Sequence, residues 1–297
     1  MTLYTQNSAV LRSLTQIYTR SNFNRIIRGS DHKLIDGRIK KHLIDINTDK
    51  YSVLLEKIYN QLLKSYRSEY FYKNALINKW VLGKYSLKTT TVLNEFKIGS
   101  SIADFVLLNG EARIYEIKTE LDSLEKLEKQ VFNYSQFGNK VYIVADYSHI
   151  RKLKKKYEDR PVGLIEYTSQ DTLRTIKEAE SYSANFDHTV IFKTLRKQEY
   201  LDIIQSYFGY VPNVPNTLLF KECLSLAKNI NIEYFQNLAY KKLKERKLRC
   251  PNHLKDEKTP YELKHICYTM NLTEEEYDNL YNFLDKEFNH VSTVSTR

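Results

Sequence analysis

Hydrophobic and polar positions follow two different periods along the chain. Near the N-terminus, apolar residues recur every three or four positions, as in Leu11, Leu14 and Ile17, which is the spacing of one face of an α-helix. Between residues 93 and 167 short apolar runs dominate, and helical spacing returns from residue 170. The pattern predicts an N-terminal helical region at 1–66, a mixed strand and helix core at 67–169, and a helical C-terminal domain at 170–297.

The core contains several runs that read as strands, preceded by a predicted helix at about 68–82. The predicted strands are 93–98, 103–108, 112–118, 141–145 and 162–167. Asn109-Gly110 between the second and third runs is a strong hairpin signal. Strand 141–145 is fully apolar and follows a helix, which predicts a buried strand parallel to 112–118. We expect 162–167 to be the last strand.

Three of the ionisable residues on the predicted hairpin are candidates for chemistry. Because side chains alternate along a strand, Glu116 and Lys118 share one face of 112–118. Asp104 lies near the start of the preceding strand, and the turn decides whether it faces the same way. Two carboxylates and an ammonium on one face have the chemistry needed to bind a hard divalent cation and a water molecule.

Two turns are compatible with the hairpin signal, and they orient Asp104 differently. A two-residue turn pairs Leu108 with Glu111 and directs Asp104 away from Glu116. A three-residue turn with Gly110 in the left-handed conformation pairs Leu107 with Glu111 and brings Asp104 to the same face. A site built from both carboxylates therefore requires the second kind of turn.

The segment after Lys118 predicts the start of a helix. Asp122 is a favourable N-cap, and Glu125 three residues later completes a capping-box pattern. On that helix Gln130 and Tyr134 are four residues apart and therefore lie on one face. An amide and a phenol there can hold a phosphate or the surroundings of a nucleophile, or can simply pack.

The charge balance favours a polyanionic partner. The chain carries 46 Lys and Arg against 36 Asp and Glu, a formal charge of +10, which suits nucleic acid but also plain solubility. A basic run at 151–156 contributes four lysines that can track a phosphate backbone or form a solvated helix face. These lysines are Lys152, Lys154, Lys155 and Lys156.

Other features of the sequence indicate where the protein works. The chain has three cysteines, an odd number that argues against a disulfide framework and favours a reducing compartment. We find no cationic segment leading into an apolar run at the start and no apolar stretch of membrane-spanning length. The expectation is a cytoplasmic protein without a membrane partner.

These motifs resemble those of a known enzyme group. Asp104, Glu116 and Lys118 are similar to the motif of the PD-(D/E)XK nuclease superfamily, and Gln130-x-x-x-Tyr134 resembles the additional motif of its RecB-like branch. Over roughly its first half, the chain is also similar to an uncharacterised bacterial family of nuclease-like proteins. The residue before the aspartate is alanine rather than the proline of the superfamily's name.

The resemblance implies an α/β fold and a metal site. The fold is a restriction-endonuclease-like αβα core with a mixed central sheet, plus N-terminal helices and a C-terminal helical extension. In such proteins the matching Asp104 and Glu116, with the carbonyl of Ile117, bind Mg²⁺ or Mn²⁺, and Lys118 positions or activates water. Glu69, on the helix before the sheet, is a candidate to touch a second ion or the water. It can equally be a first-turn acid that interacts with the helix dipole.

The same resemblance implies a function and leaves an alternative open. We expect a metal-dependent phosphodiesterase, a nuclease or endonuclease that cuts DNA, in a defence or DNA-processing context. The alternative is a catalytically inactive nuclease fold that binds nucleic acid or a protein partner. The C-terminal helical domain is the candidate surface for a protein partner or a homodimer.

Overall fold

The computed structural model describes residues 2–3, 7–44 and 49–288. The chain divides into two compact units, one built from 1–84 with 248–297 and the other from 85–247. This division differs from the predicted segments 1–66, 67–169 and 170–297. Helices as far as residue 244 group with the sheet, and the helices after residue 248 group with the N-terminal ones.

Thirteen α-helices and eight strands make up the described part of the chain. The helices are α1 (Ser8–Thr15), α2 (Arg20–Gly29), α3 (Lys33–His42), α4 (Tyr51–Ser65), α5 (Glu69–Ala75), α6 (Leu127–Ser135), α7 (Tyr147–Lys156), α8 (His188–Lys193), α9 (Lys197–Phe208), α10 (Asn216–Ala227), α11 (Ile232–Lys244), α12 (Lys264–Met270) and α13 (Glu274–Asp285). The strands are β1 (Thr2–Leu3), β2 (Leu43–Ile44), β3 (Thr91–Ile98), β4 (Ser101–Asn109), β5 (Glu111–Lys118), β6 (Lys140–Asp146), β7 (Gly163–Tyr167) and β8 (Leu173–Lys177). Helix α5 continues as a π-helical segment at Leu76–Leu82. Within the described ranges, no helix combines the length and the apolar character needed to cross a bilayer.

The six strands β3 to β8 form one mixed sheet in sequence order. Strands β5, β6 and β7 run parallel, while β3–β4, β4–β5 and β7–β8 are antiparallel. The predicted α/β class is confirmed. The sheet is mixed, and helices precede and follow it along the chain. The parallel pairing of β5 with β6 through an intervening helix is also as predicted.

Strand β8 corrects one expectation, because 162–167 is not the last strand. Residues 173–177 pair antiparallel with β7 at the edge of the sheet. Their side chains are exposed or half-buried, so this strand lacks the apolar run that marks a buried one. An edge strand with polar side chains gives a weak sequence signal.

One face of the sheet carries the hydrophobic core of the 85–247 unit. Ile114 of β5 and Ile143 of β6 are fully buried there with Tyr134 of α6 and Leu153 of α7. Leu243 of α11 belongs to the same cluster. Burial of apolar side chains from the later helices against this face explains why they group with the sheet rather than forming a separate domain.

The other unit contains a buried acid among aromatic rings. Glu262 is only 3% exposed, and the hydroxyl of Tyr70 donates to its backbone carbonyl. Tyr70 stacks on Tyr18 with 5.3 Å between ring centroids, and Tyr18 meets Tyr59 edge to face. Burial raises the pKa of the Glu262 carboxyl to about 7, because an apolar surrounding penalises the charged form.

Candidate functional site

The turn between β4 and β5 places the two predicted carboxylates on one face of the sheet. Gly110 has a positive φ of 74°, a conformation that glycine adopts at little cost, and Leu108 pairs with Ala112. Neither pairing considered from the sequence occurs, so the expectation that a shared face requires the three-residue turn is wrong. Continuing the observed register sets Asp104 level with Glu116, and residues level with each other point to the same face.

The ladder of hydrogen-bonded strands is interrupted at the level of Asp104. The β3–β4 register passes from Asn94–Phe105 to Phe96–Ala103 without a Glu95–Asp104 pair. Glu95 is exposed and has a φ of 51°, a conformation that non-glycine residues rarely adopt and that costs of order 1 kcal/mol or more.

The Asp104 carboxylate has a backbone partner on β5, beyond the last β4–β5 pair at Phe105–Tyr115. Asp104 is half-buried, and its Oδ2 accepts the backbone N–H of Ile117 at 2.7 Å. The bond fixes the aspartate against β5, one residue beyond Glu116. Where the β4–β5 backbone pairing ends, an acidic side chain thus accepts the N–H of β5 and is held in position by it.

Glu116 is a buried carboxylate surrounded by hydrogen-bond donors. It is 2% exposed, and its Oε1 accepts from Lys118 Nζ at 2.6 Å and from Gln130 Nε2 at 2.5 Å. Its Oε2 lies 2.6 Å from the hydroxyl of Tyr134. The structure therefore brings these four predicted residues together around one carboxylate, and charge-assisted bonds of this kind offset the cost of burying it.

The hydroxyl of Tyr134 lies between β4 and the Glu116 carboxylate. It lies 2.8 Å from the carbonyl of Ile102 as well as beside Glu116. Burial raises the pKa of Tyr134, followed by the negative charge and hydrogen bond of Glu116 and then the charge of Asp104. The hydroxyl therefore stays protonated and serves as a neutral donor to Glu116.

Helix α6, which supplies Gln130, begins later than the sequence predicts. Its first residue is Leu127, after Lys126, so Asp122 is not the N-cap. Asp122 Oδ2 instead accepts the backbone N–H and the hydroxyl of Thr119, each at 2.7 Å. Thr119, directly after β5, captures the carboxylate that the capping-box pattern assigned to the helix start.

Two polar contacts near the site were missed from the sequence. Asn133 donates from Nδ2 to the hydroxyls of Ser100 and Ser101 at 3.0 and 2.7 Å, which ties α6 to the β3–β4 turn. His149 Nε2 lies 3.0 Å from the carbonyl of Thr119, immediately after β5. The three-residue spacing from Gln130 to Asn133 was the available signal, since such residues are neighbours on a helix.

Glu69 belongs to the other compact unit and has a local partner there. It is the first residue of α5, and its Oε1 lies 2.5 Å from Nζ of Lys73 one turn later. This arrangement matches the first-turn reading of Glu69, in which its charge faces the helix N-terminus.

The four predicted phosphate-binding lysines lie on α7. Lys152, Lys154 and Lys155 are exposed, and Lys156 Nζ lies 3.1 Å from the carboxylate of Glu128. The buried positions of the helix are Ile150 and Leu153. The lysines therefore occupy the outward part of an amphipathic helix, where they are accessible to an anion.

The donor chemistry fits a hard divalent cation. Asp104, Glu116 and the Ile117 carbonyl supply oxygen ligands of the kind that Mg²⁺ and Mn²⁺ bind, with water completing the shell. Gln130 Oε1 is a buried oxygen with no hydrogen-bond partner among the described residues, and such an atom commonly faces a water or an ion. Within the same residues, no group of three or more His, Cys, Asp and Glu side chains is arranged to hold a metal. A cation here would depend on two carboxylates.

Comparison with known proteins identifies the family. The family model described as bacteriophage P4 protein cII matches residues 63–266, which is more than half of the chain. The chain belongs to this family. All the residues gathered around Glu116 lie within the matched region.

Two individual proteins show similarity to the chain. Protein cII of Enterobacteria phage P4 is 26% identical over 179 residues, which cover 59% of this chain and 66% of that protein, just under two thirds of its length. A solved structure, the SPO1766 protein of unknown function from Silicibacter pomeroyi, is 11% identical and covers 43% of this chain and 87% of its own, with a TM-score of 0.27.

Proposed function

We propose that this protein is a metal-dependent nuclease that hydrolyses phosphodiester bonds in DNA. The observation that carries the proposal is geometric: the Asp104 carboxylate binds the backbone N–H of Ile117, the residue after Glu116, and the ammonium of Lys118 lies 2.6 Å from Glu116. Two acids and a lysine at one end of two neighbouring strands are the groups that such chemistry uses. The resemblance to the PD-(D/E)XK superfamily supports the same function.

Each residue has a distinct part in the proposed reaction. Asp104, Glu116 and the Ile117 carbonyl would hold Mg²⁺ or Mn²⁺, which supplies charge neutralisation at the phosphoryl oxygens and a more acidic bound water. Lys118 would position the attacking water or a phosphate oxygen. Gln130 and Tyr134 hold the Glu116 side chain in place through their hydrogen bonds to its two oxygens.

Apart from Glu69, the residues used in the proposal all lie in the 85–247 unit. The accessible lysines of α7, Lys152, Lys154 and Lys155, would contact phosphates of the substrate and make binding salt-dependent. A role for Glu69 at a second ion remains a prediction from the resemblance.

One observation favours the alternative function, a catalytically inactive module that binds nucleic acid. Lys118, Gln130 and Tyr134 already satisfy both oxygens of Glu116. A carboxylate with three protein donors can be stable without any metal. Metal affinity separates the two functions, because only the nuclease requires a cation at Asp104 and Glu116.

The test is a cleavage assay with matched variants. Wild-type protein, Asp104→Asn and Lys118→Ala are incubated with labelled DNA in Mg²⁺ or Mn²⁺, beside the control Asp159→Asn at an exposed position of the same unit. We expect both site variants to lose at least about a hundredfold in rate, a loss typical of removing a transition-state interaction, and the control to keep full activity. Equal cleavage by all four proteins would refute the assigned roles.

A further inference from the structure

A basic groove lies at the opposite end of the β4–β5 hairpin from Asp104 and Glu116. Its volume is about 510 Å³, and it is bounded by the start of β3, the turn at Gly110 and the C-terminal part of α11. The charged side chains that line it are Lys88, Lys241, Lys244, Lys247 and Glu245. Four ammonium groups against one carboxylate make it a place where an anion is attracted.

The groove is built on fixed parts of the fold. Thr91 of β3 donates its hydroxyl to the carbonyl of Lys244 at 2.9 Å, which anchors the last turn of α11 on the sheet. Leu243 beside it is fully buried in the core. Tyr240 is 8% exposed, and its ring centroid lies 5.7 Å from Lys244 Nζ. Its hydroxyl is buried and has no hydrogen-bond partner in the described part of the chain.

The groove's own carboxylate is already compensated. Glu245 lies 3.2 Å from Nζ of Lys242, a lysine outside the lining. Interaction with the dipole of α11 can account for lysines in its last turn, but Lys88 precedes β3 and Lys247 follows the helix. Lys88, Lys241 and Lys247 are exposed, so they are available to a ligand.

We propose that this groove binds backbone phosphates of a nucleic-acid strand that extends from the candidate site. The proposal rests on the nuclease function for its direction, because Gly110 lies six residues before Glu116 along β5. At about 3.3 Å per residue the two places are roughly 20 Å apart along the strand, or about six base pairs of duplex. The groove would hold flanking phosphates and increase affinity without touching the bond that is cut.

The binding test replaces three groove lysines at once. The variant Lys88→Gln, Lys241→Gln, Lys247→Gln is compared with wild type by fluorescence anisotropy of a labelled duplex of about twenty base pairs, in DNA and RNA forms, with EDTA present. We expect at least about a tenfold loss of affinity, with the slope of log K against log salt reduced by about two to three, since each phosphate contact contributes roughly 0.9 on B-DNA.

The control makes the same change of charge elsewhere on the unit. Lys193, Lys221 and Lys228 are exposed on α8, on α10 and just after α10, and their glutamine triple should bind within about twofold of wild type because it leaves the groove intact. Equal losses in both triples would show a general charge effect and overturn the proposal. Unchanged binding by a folded groove variant, checked by thermal unfolding, would overturn it as well.

Substrate length separates this proposal from the nuclease proposal. With Mg²⁺ present, the groove variant should cut a DNA hairpin with a stem of about twenty base pairs more slowly than wild type, and one with a stem of about four base pairs equally fast. A loss of rate that is the same for both lengths would contradict the spacing. If wild type cuts neither hairpin, the nuclease function fails, and the anisotropy result alone decides the groove.

Discussion

Glu116 and Glu262 are buried to almost the same degree, at 2% and 3% exposure, yet their surroundings differ completely. Glu116 accepts hydrogen bonds from Lys118, Gln130 and Tyr134. Glu262 has a buried Oε1 with no partner among the described residues, and burial raises the pKa of its carboxyl to about 7. Equal depth therefore comes with unequal surroundings, since only Glu116 has donors on both of its oxygens.

The source of the difference is local. Lys118 follows Glu116 by two residues on the same strand, and Gln130 and Tyr134 lie one turn apart on α6, so donors arrive from two elements. Near Glu262 the neighbours are aromatic, and the negative charge of Glu56 raises its pKa further. Below about pH 7 the Glu262 carboxyl is protonated and is a poor cation ligand. Glu116, in contrast, lies beside Lys118, an ammonium that can orient water or a phosphate oxygen.

The largest expected effect comes from breaking the Glu116–Lys118 pair, whose side chains are 3% and 10% exposed. Glu116→Gln leaves a buried ammonium without its counter-charge, which costs about 3–5 kcal/mol of unfolding free energy. The double variant with Lys118→Met should recover most of that loss. Urea unfolding of wild type, both single variants and the double variant measures the coupling. Simple additivity of the two single losses would contradict the account.

The next largest effect is a pH dependence set by Glu262. Its folded pKa of about 7 lies above the value in the unfolded chain, so the folded state prefers the protonated acid. The contribution is fully present below about pH 4.5 and is lost as pH rises through 7, a change of about 3 kcal/mol. Glu262→Gln should therefore gain stability relative to wild type between pH 5 and pH 8. The same difference between the two proteins at both values would show that Glu262 does not titrate in this way.

The smallest effect expected is at Tyr134. Tyr134→Phe removes one of the three donors to Glu116 and leaves Oε2 buried, which costs about 1–2 kcal/mol. Tyr182→Phe, at a side chain that is 38% exposed, is the matched control and should stay within about 0.5 kcal/mol of wild type. Chemical unfolding of the two variants at pH 7 makes the measurement. A loss as small as that of the control would mean that the phenol is only packing.

The sequence was informative wherever one element decides the outcome. Alternation along β5 correctly placed Glu116 and Lys118 on one face, and four-residue spacing on α6 correctly aligned Gln130 with Tyr134. The position of Asp104 could not be read in this way, because it depends on how the turn at Gly110 sets the strand register. The pairing of β4 with β5 and the hydrogen bond from the Ile117 N–H fix the position of Asp104.

Competition between partners explains the other differences. The Asp122 carboxylate could have capped a helix, but it accepts the hydroxyl and the backbone N–H of Thr119 instead. Helix α6 starts at Leu127. The helices after residue 248 group with the N-terminal ones, a long-range choice that no local pattern encodes. Strand β8 was overlooked because an edge strand carries little apolar signal.

Calorimetric titration of Mg²⁺ into wild type and Asp104→Asn, each assayed in parallel for DNA cleavage, tests most directly whether Asp104 and Glu116 form a metal-dependent catalytic site. We expect wild type to bind the ion and cut DNA. Asp104→Asn, which keeps an amide oxygen but loses the charge, should bind at least about tenfold more weakly and cut little. Identical binding heats and identical cleavage in the two proteins would contradict the account.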